Sequence, residues 1–413
     1  MREMKDSGLK WLGKIPADWT LAKIGGLYSI RNEKVSDKDY PPLSVTNKGI
    51  LPQLETAAKT NDGDNRKLVR VGDFAINSRS DRRGSCGISP YDGSVSLINI
   101  VMVPRKEMVP TYYEWLFHTT QFGDENYRWG HGIVDDLWTT GWQDMKKITI
   151  PMPSLDEQRR IADYLDTKCA EIDALTADIQ TQIDTLEQYK RSVITETVTK
   201  GLNPDAEMKD SGIQWIGMMP AHWDCIRGKY ILKYIQKPVR DDDGVITCFR
   251  DGEVTLRSNR REDGFTMADK EIGYQGIDVG DLVVHGMDGF AGAIGISDSR
   301  GKASPVLNVL DTKQNKRYIM YFLRSMAYSD VFLALATGIR VRSCDLRWNK
   351  LSELFYPIPP LEEQEAIVDY IDSILRRTDE VIAAKKEQFS TLEAYKKSLI
   401  YEYVTGKKEV PLS

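Results

Sequence analysis

Two stretches of the chain have the spacing of apolar residues that is typical of long helices. Residues 155–199 and 361–405 contain neither Gly nor Pro, and apolar side chains recur in both every seven residues. A seven-residue repeat with two apolar series forms a seam along which helices wind around each other. We therefore predict two long helices, each of which buries its apolar stripe against the other.

The predicted seam consists of two series in each helix, the second three positions after the first. The second series is Ile161, Lys168, Leu175, Gln182 and Tyr189 in the first helix, and Ile367, Ile374, Val381, Gln388 and Tyr395 in the second. Polar residues therefore interrupt the apolar ones. The apolar residues that we assign to the coiled-coil seam are Leu165, Ile172, Ile179, Leu186, Val193, Ile371, Ile374, Val381, Leu392 and Leu399.

An internal repeat extends over most of the chain. The segment Met4–Trp19 recurs as Met208–Trp223, and both copies have the pattern W-x-G-x-x-P-x-x-W. The pattern P-x-P-x-L-x-E-Q begins at Pro151 and again at Pro357, directly before each predicted long helix. The two halves are therefore predicted to share one fold. We expect the repeated tryptophans to pack in the core or at a domain junction.

Between these motifs the pattern predicts short strands and short helices. Val69–Ile76 and Ile277–Val284 each indicate a strand, a Gly-Asp turn and a second strand. Short helices are predicted at Tyr112–Thr120 and Tyr318–Ala327. Together with the long helices, these elements predict an α+β fold class, with two similar α/β domains and an internal pseudo-two-fold repeat.

Charge is distributed unevenly along the chain. The net charge is −5, but residues 154–199 alone carry −5 and residues 360–405 carry −4, which leaves +4 on the remaining residues. The acidic balance therefore belongs to the predicted helices. Since nucleic-acid binding depends on a local basic face, the overall negative charge does not exclude it.

The composition indicates a cytosolic protein of about two to four domains. The N-terminus lacks the apolar core of a secretory signal, and no stretch approaches the ~20 apolar residues of a membrane span. The five cysteines are odd in number and lack C-x-x-C spacing, which favours reduced thiols. We therefore expect a cytoplasmic location and no association with a membrane.

Enzyme motifs are absent or broken. The Pro-Pro pair after Asp39-Tyr40 lacks the neighbours of an amino-methyltransferase motif, and Gly301-Lys302 lacks the spacing of a phosphate-binding loop. The four histidines His118, His131, His222 and His285 are scattered, so structural roles or single contacts are favoured over metal ligation. We expect a protein without catalytic residues, without a metal site and without a cofactor of its own.

Basic residues outside the helices cluster near glycines in both halves. The guanidinium group of Arg can donate two parallel hydrogen bonds to a guanine edge or to a phosphate, so these clusters could bind DNA. The alternative is that each of these residues is simply part of the solvated surface. The two clusters differ in their residues, as expected for a protein that recognises two different short DNA sequences, or words. The candidate DNA-binding residues are Lys67, Arg79, Arg82, Arg83, His131, Arg250, Arg257, Arg260, Arg261, Lys302, Arg340 and Arg342.

With these motifs in order, the chain resembles a type I restriction–modification specificity subunit over essentially its whole length. The segments Pro151–Ile161 and Pro357–Ile367 are the most specific part of this resemblance. The family implies two target-recognition domains, each of which reads one half of a split, asymmetric DNA sequence. It also implies that the long helices form an antiparallel pair that sets the distance between the half-sites.

The resemblance further implies domain limits and partners. Target-recognition domains are expected at 1–153 and 206–358, a central conserved helix at 154–205, and a C-terminal conserved helix at 359–413. The implied partners are double-stranded DNA, two methyltransferase subunits and restriction subunits. S-adenosylmethionine, ATP and Mg²⁺ are expected on those partners. The alternatives are a coiled-coil scaffold that does not read DNA, and an enzyme with an unrecognised site.

Overall fold

The repeat predicted from the sequence is present as two units whose elements follow the same order, except that the two-residue strand Lys34–Val35 of the first unit has no counterpart among the described residues of the second. The first unit combines Met1–Gln180 with Glu387–Ser413, and the second is Thr181–Lys386. In this computed structural model the described residues are 2–53, 62–79, 83–132, 138–260, 272–334 and 346–411. Each compact unit contains parts of both long helices, so these units do not test the predicted division of the chain into four parts. That division stays a prediction.

The first unit contains thirteen short strands and four short helices within its described residues. The strands are β1 (Met4–Asp6), β2 (Lys14–Pro16), β3 (Thr20–Lys23), β4 (Tyr28–Ile30), β5 (Lys34–Val35), β6 (Leu43–Thr46), β7 (Gly49–Pro52), β8 (Arg66–Val69), β9 (Phe74–Asn77), β10 (Cys86–Ile88), β11 (Gly93–Val95), β12 (Asn99–Pro104) and β13 (Thr149–Met152). The helices are α1 (Ile24–Leu27), α2 (Pro110–Phe117), α3 (Thr120–Arg128) and α4 (Trp142–Met145).

Two long helices belong partly to each unit, and the second unit repeats the short elements. The long helices are α5 (Leu155–Lys200) and α10 (Leu361–Val404). The second-unit strands are β14 (Met208–Asp210), β15 (Met218–Pro220), β16 (Asp224–Arg227), β17 (Leu232–Ile235), β18 (Ile246–Cys248), β19 (Val254–Leu256), β20 (Gln275–Ile277), β21 (Leu282–His285), β22 (Ile294–Ile296), β23 (Gly301–Ala303), β24 (Leu307–Thr312) and β25 (Phe355–Ile358). Its short helices are α6 (Gly228–Ile231), α7 (Lys316–Tyr328), α8 (Val331–Ala334) and α9 (Trp348–Leu351).

Each unit is built on one four-stranded antiparallel sheet. Its strand order is β10-β9-β12-β4 in the first unit and β22-β21-β24-β17 in the second. At the end of the central strand, Asn77 pairs with Asn99 in the first unit, and His285 pairs with Leu307 in the second. The turn before this strand requires a left-handed backbone, with φ of 86° at Gly72 and 84° at the equivalent glycine of the second unit.

The glutamine of the P-x-P-x-L-x-E-Q motif joins each long helix to its domain. The Gln158 side chain accepts a hydrogen bond from the Val109 N–H at 3.0 Å and donates one to the Pro153 carbonyl at 2.9 Å. Gln364 accepts from the Asn315 N–H at 2.9 Å and donates to the equivalent proline carbonyl at 2.8 Å. The motif therefore fixes the start of each long helix to the loop before a short one.

The C-terminal ends of the long helices are fixed in the same way in both units. In the first unit, the buried Tyr112 hydroxyl donates to the Val404 carbonyl at the end of α10, at 2.7 Å. In the second unit, the Tyr318 hydroxyl lies 3.2 Å from the Val198 carbonyl near the end of α5 and 2.8 Å from the Pro357 carbonyl, so its proton is shared between these two acceptors. Each domain thus holds the start of one long helix and the end of the other, which gives the fold its internal symmetry.

Within each unit the two helices run antiparallel. The Lys396 ammonium lies 2.5 Å from the Asp173 carboxylate in the first unit. In the second unit, the equivalent pair is Lys190 with Asp379, at 2.6 Å. The residue numbers rise on one helix as they fall on the other, which confirms the antiparallel pair implied by the resemblance.

The buried stripe of each helix differs from the predicted seam in its second series. The first series is largely buried, but in α5 the other buried positions are Cys169, Thr176 and Ile183, one residue after the predicted Lys168, Leu175 and Gln182. Leu175 is exposed, and large apolar residues such as this one suggested the wrong position. After Leu165 the buried positions follow in alternating steps of four and three residues. This spacing places small and polar residues between the two helices.

The ten predicted seam residues divide accordingly. The buried ones are Leu165, Ile172, Val193, Ile371 and Leu399, and the half-buried ones are Ile179, Leu186, Ile374 and Leu392. The prediction is wrong for Val381, whose side chain is 45% exposed, because its neighbour Ile382 takes the buried position at 4% exposure. Within the described part of the chain, no helix is long and apolar enough to cross a membrane.

Candidate nucleic-acid interface

A basic cleft of 670 Å³ opens in the second unit where strands of two sheets end. It is lined by Val245, Ile246, Thr247, Cys248, Phe249, Arg250, Asp251, Arg257, Arg260, Tyr274, His285, Asp288, Ser304, Val306 and Leu307. Three arginines and two aromatic rings therefore share one cavity with two carboxylates. This mixture of donors and ring faces is suited to a polyanion that carries planar bases.

Arg260 is held in a fixed position at the edge of the basic cleft. Its guanidinium lies 2.7 Å from the Asp251 carboxylate and 2.9 Å from that of Glu253, and stacks 4.1 Å from the Phe249 ring centre. Hydrogen bonds to these two carboxylates and their charges raise the pKa of Arg260. A guanidinium held on a ring keeps its remaining N–H groups oriented toward a ligand.

The two other arginines of the basic cleft have partners on neighbouring strands and loops. Arg250 donates to the Asp288 carboxylate at 2.9 Å, and the Arg257 Nε lies 3.4 Å from the Thr247 hydroxyl. The guanidinium of Arg250 is 63% exposed, so solvent or a ligand reaches it. The fold therefore brings the predicted residues Arg250, Arg257 and Arg260 together in one site.

The cleft lacks an activated thiol. Burial raises the pKa of the Cys248 thiol to about 12, so this side chain is protonated and weakly nucleophilic near neutral pH. Within the described residues, no group of three or more His, Cys, Asp and Glu side chains could hold a metal ion. The groups that the cleft offers are the arginine donors, the carboxylates that hold them and apolar surface.

In the first unit, two predicted arginines line a shallow depression of about 20 Å³ beside the end of β9. The Arg83 guanidinium donates to the Asp124 carboxylate at 2.9 Å and lies 4.3 Å from the Tyr127 ring centre. Arg79 is exposed, and its backbone N–H donates to the Asn77 side chain at 3.0 Å. This site therefore repeats the arginine-on-ring arrangement of the second unit with different residues.

The other predicted residues that the structure describes line neither of these two sites. Lys67 is half-buried, and its ammonium donates to the Asn99 carbonyl at 2.6 Å, with burial lowering its pKa. His131 is 78% exposed and lies 3.4 Å from the Asp144 carboxylate, while Lys302 lies half-buried in β23. The predicted residues Arg82, Arg261, Arg340 and Arg342 lie outside the described residues.

Three lining residues of the basic cleft, Phe249, Tyr274 and His285, were not predicted from the sequence. His285 was visible directly after a predicted strand, at the start of a glycine-rich loop, but the scatter of the histidines gave no reason to assign it to a site. Phe249 and Tyr274 belong to separate segments, and pairing of β20 with β23 brings the second of these near the cleft. Their sequence positions give no signal for that contact.

A second cavity of 630 Å³ lies beside the basic cleft within the second unit. Four basic residues line it, namely Lys190, Arg191, Arg250 and Arg324. The same lining contains four acidic residues, Glu187, Asp251, Asp330 and Asp379. Because the charges balance, this cavity lacks the excess of positive charge expected for a phosphate site.

The comparisons with known proteins agree with this architecture. A family model described as the type I restriction modification DNA specificity domain matches residues 16–185. The type I restriction enzyme MjaVIII specificity subunit of Methanocaldococcus jannaschii is 26% identical, over 96% of this chain and 94% of its own length. The type I restriction enzyme EcoDI specificity subunit of Escherichia coli is 21% identical, over 89% of this chain and 84% of its own length.

The fold is also shared with a chain from a solved structure that concerns complex assembly and conformational transition of the type I R-M system. The TM-score is 0.68 at 16% identity, and the match covers 95% of this chain and 99% of that one. The chain is similar to type I restriction enzyme specificity subunits over most of its length, which confirms the resemblance predicted from the repeated motifs.

Proposed function

We propose that the chain is the specificity subunit of a type I restriction–modification complex and reads a bipartite, asymmetric DNA target. Each unit reads one half-site. The first unit uses the surface around Arg79 and Arg83, and the second uses the basic cleft. DNA binding then depends on arginines that are positioned by carboxylates and aromatic rings, with the neighbouring bases supplying sequence discrimination.

The observation that supports this proposal is that the two units share one arrangement of strands and helices but have different residues at their candidate binding sites. The four-stranded sheets have the same strand order, and the helix joints use equivalent hydrogen bonds. At the end of the central strand, however, one unit has Asn77 and the other has His285. A protein that only joined partners symmetrically would have no need for different residues at these equivalent positions.

The partners that we propose on the helices are two methyltransferase subunits, with restriction subunits joining the assembly. In the first unit, Leu175 and Tyr395 are 54% and 52% exposed beside the Asp173–Lys396 ion pair. In the second unit, the equivalent Val381 and Tyr189 are 45% and 47% exposed beside Lys190–Asp379. Two equivalent apolar patches suit two copies of one partner.

Catalytic chemistry is assigned in this proposal to the partners. The described part of the chain offers hydrogen-bond donors, ring faces and apolar patches, which bind and orient DNA or protein. S-adenosylmethionine, ATP and Mg²⁺ would therefore be held by the methyltransferase and restriction subunits. The chain's own contribution is the choice of DNA sequence.

The test is methylome sequencing of cells that express this chain with its cognate methyltransferase, with and without the chain. We expect a split, asymmetric methylated motif that disappears when the chain is deleted. With active methyltransferase confirmed in both strains, absence of any motif that depends on the chain would overturn the proposal. The alternative, a coiled-coil scaffold without DNA readout, would then be favoured.

A second measurement separates DNA reading from scaffolding directly. The assembled methyltransferase complex should bind a duplex that carries both half-sites more tightly than one with either half-site scrambled. The affinity should fall as salt rises, because phosphate contacts release counterions. Equal affinity for all duplexes would support the scaffold instead.

A further inference from the structure

His285 ends the central strand of the second unit and faces the basic cleft. It is the last residue of β21, pairs with Leu307, and shares the cleft lining with three arginines. Its side chain is 20% exposed, so the ring is largely enclosed but reachable from the cavity. A polar ring in this position is available to a ligand in the cleft.

The backbone around His285 determines which ring nitrogen carries the proton. Nδ1 accepts hydrogen bonds from the N–H groups of Met287 at 3.2 Å and Asp288 at 3.0 Å. Since a backbone N–H can only donate, Nδ1 must present its lone pair, and the neutral ring carries its proton on Nε2. Burial lowers the pKa of His285, with the Asp288 carboxylate opposing and Arg250 reinforcing this effect.

The proton on Nε2 is available for a further interaction. The Asp288 carboxylate oxygen lies 3.9 Å from Nε2, which is beyond hydrogen-bond distance. That carboxylate also accepts a hydrogen bond from Arg250 at 2.9 Å. The imidazole is thus a donor of fixed orientation, because the turn after β21 holds its other nitrogen.

We propose that His285 is a specificity-determining residue of the second unit and donates its Nε2–H to an acceptor on a base edge. This inference rests on the proposed function. The acceptors that a fixed donor selects in the major groove are guanine O6 and N7, adenine N7 and thymine O4. Cytosine is disfavoured at the contacted position, since its major-groove edge offers only the N4 amino donor.

The first unit shows how the same backbone position accommodates another reader. Asn77 ends the equivalent strand, and its side-chain oxygen accepts the Arg79 N–H at 3.0 Å. Each side chain therefore accepts a hydrogen bond from the turn that follows its strand, and each has a second polar group that can bind another partner. An amide N–H₂ and an imidazole N–H differ in reach and direction, so His285→Asn retains an acceptor for the turn while it moves the donor away from the proposed contact.

The experiment compares the wild-type chain, His285→Asn and His285→Ala, each co-expressed with the cognate methyltransferase, by methylome sequencing. For His285→Asn we expect an unchanged first word and one relaxed position in the second word. Purified complexes should show the same change on duplexes with single-base substitutions. The preference for the wild-type base at that position should fall roughly tenfold, since one mismatched base pair typically lowers binding affinity about tenfold or more.

Three results would overturn the inference while leaving the proposed function intact. The first is an unchanged second word in both variants. The second is a changed word in His285→Ala alone, which would mean that His285 acts only through the turn. The third is loss of both words in His285→Asn, which would place His285 in folding. If the wild-type chain itself gave no motif, the proposed function would fail and this inference with it.

Discussion

Asp73 and Asp281 show how one side chain stabilises the same turn in both units. Each carboxylate accepts the N–H of the residue three positions earlier, at 2.9 Å in the first unit and 2.8 Å in the second. Each also pairs with a basic side chain, Arg31 at 2.7 Å or Lys237 at 2.6 Å. The aspartate of the Gly-Asp turn is therefore a structural residue, although its charge and its position near a glycine would also suit a catalytic site.

Asp278 should make the second unit less stable as the pH falls into the acid range. Hydrogen bonds from Lys237 and Arg300 lower the pKa of Asp278 from its usual 3.8 to about 2. A lowered pKa contributes stability that is present above pH 3.8 and is lost as pH falls through about 2. We expect the melting temperature of the wild-type chain to exceed that of Asp278→Asn at pH 5, with the difference shrinking toward pH 2. Thermal unfolding across this range checks this, and a constant difference would contradict it.

Arginine substitutions should affect each half-site separately. We expect Arg79→Gln with Arg83→Gln to weaken discrimination in the first word only, and Arg257→Gln with Arg260→Gln to do so in the second. Each base-contacting arginine contributes about 1–3 kcal/mol of discrimination. Methylome sequencing and competition binding of the complexes measure the effect, and each double variant is the control for the other. An equal loss at both half-sites would instead indicate general attraction to the DNA backbone.

At the scale of elements, the helix pair is determined by small and polar residues inside the seam as well as by large apolar ones. Cys169, Thr176 and Ile183 are buried in α5, while Leu175 and Tyr189 are exposed. Hydrophobicity alone favours the exposed residues for the seam, because they are larger. The antiparallel partner decides which face is covered, and it leaves Leu175 and Tyr189 exposed.

The neighbours Val381 and Ile382 provide a direct test of the corrected seam. Ile382→Ala should destabilise the chain by about 2–5 kcal/mol, because truncation of a buried aliphatic side chain leaves a cavity. Val381→Ala should change stability by less than about 0.5 kcal/mol, since its side chain is largely in solvent. Urea unfolding of both variants measures the two values. A larger loss for Val381→Ala would restore the seam predicted from the sequence.

The length of the helix pair should set the gap between the two DNA words. We expect insertion of seven residues after Thr181 and seven after Lys386 to keep the heptad faces and to lengthen each helix by ~10 Å, at ~1.5 Å per residue. The gap should then grow by about three base pairs, at ~3.4 Å each. The methylated motif reports the outcome. Changed words with an unchanged gap would contradict the idea that the helices act as a spacer.

At the scale of the whole molecule, one chain contains two equivalent sets of surfaces. The ion pairs Asp173–Lys396 and Lys190–Asp379 occupy equivalent positions, and the exposed apolar residues Leu175 and Tyr395 of the first unit are equivalent to Val381 and Tyr189 of the second. Under the proposed function, duplication within one chain lets the two recognition surfaces diverge while the partner-binding surfaces stay alike. This arrangement suits identical partners that act on an asymmetric target.

Disruption of one patch should therefore remove one partner. We expect Tyr189→Glu with Val381→Glu to lower the number of bound methyltransferase subunits from two to one, because charged side chains oppose burial of an apolar patch. Leu175→Glu with Tyr395→Glu should do the same at the other patch, and all four changes together should abolish assembly. Native mass spectrometry of the complexes counts the subunits. Full assembly of the fourfold variant would place the docking surface elsewhere.

The sequence by itself determined the repeat, the two long helices and their joints to the domains. Sequence periodicity and repeated motifs report these features directly, because a helix face and a turn depend on residues close together in the chain. The family resemblance rests on the same local signals. Only the tertiary structure decided which heptad face is buried, since the partner helix covers Ile382 and leaves Val381 in solvent.

Tertiary structure also decided the composition of the basic cleft. Arg250, Arg257 and Arg260 were visible in the sequence as a cluster, but Tyr274, directly before β20, and His285, at the end of β21, line the same cavity. The role of His285 depends on backbone N–H groups that meet its Nδ1 only after the turn has formed. Contacts of this kind depend on strand pairing and ring orientation, which neither composition nor spacing along the chain specifies.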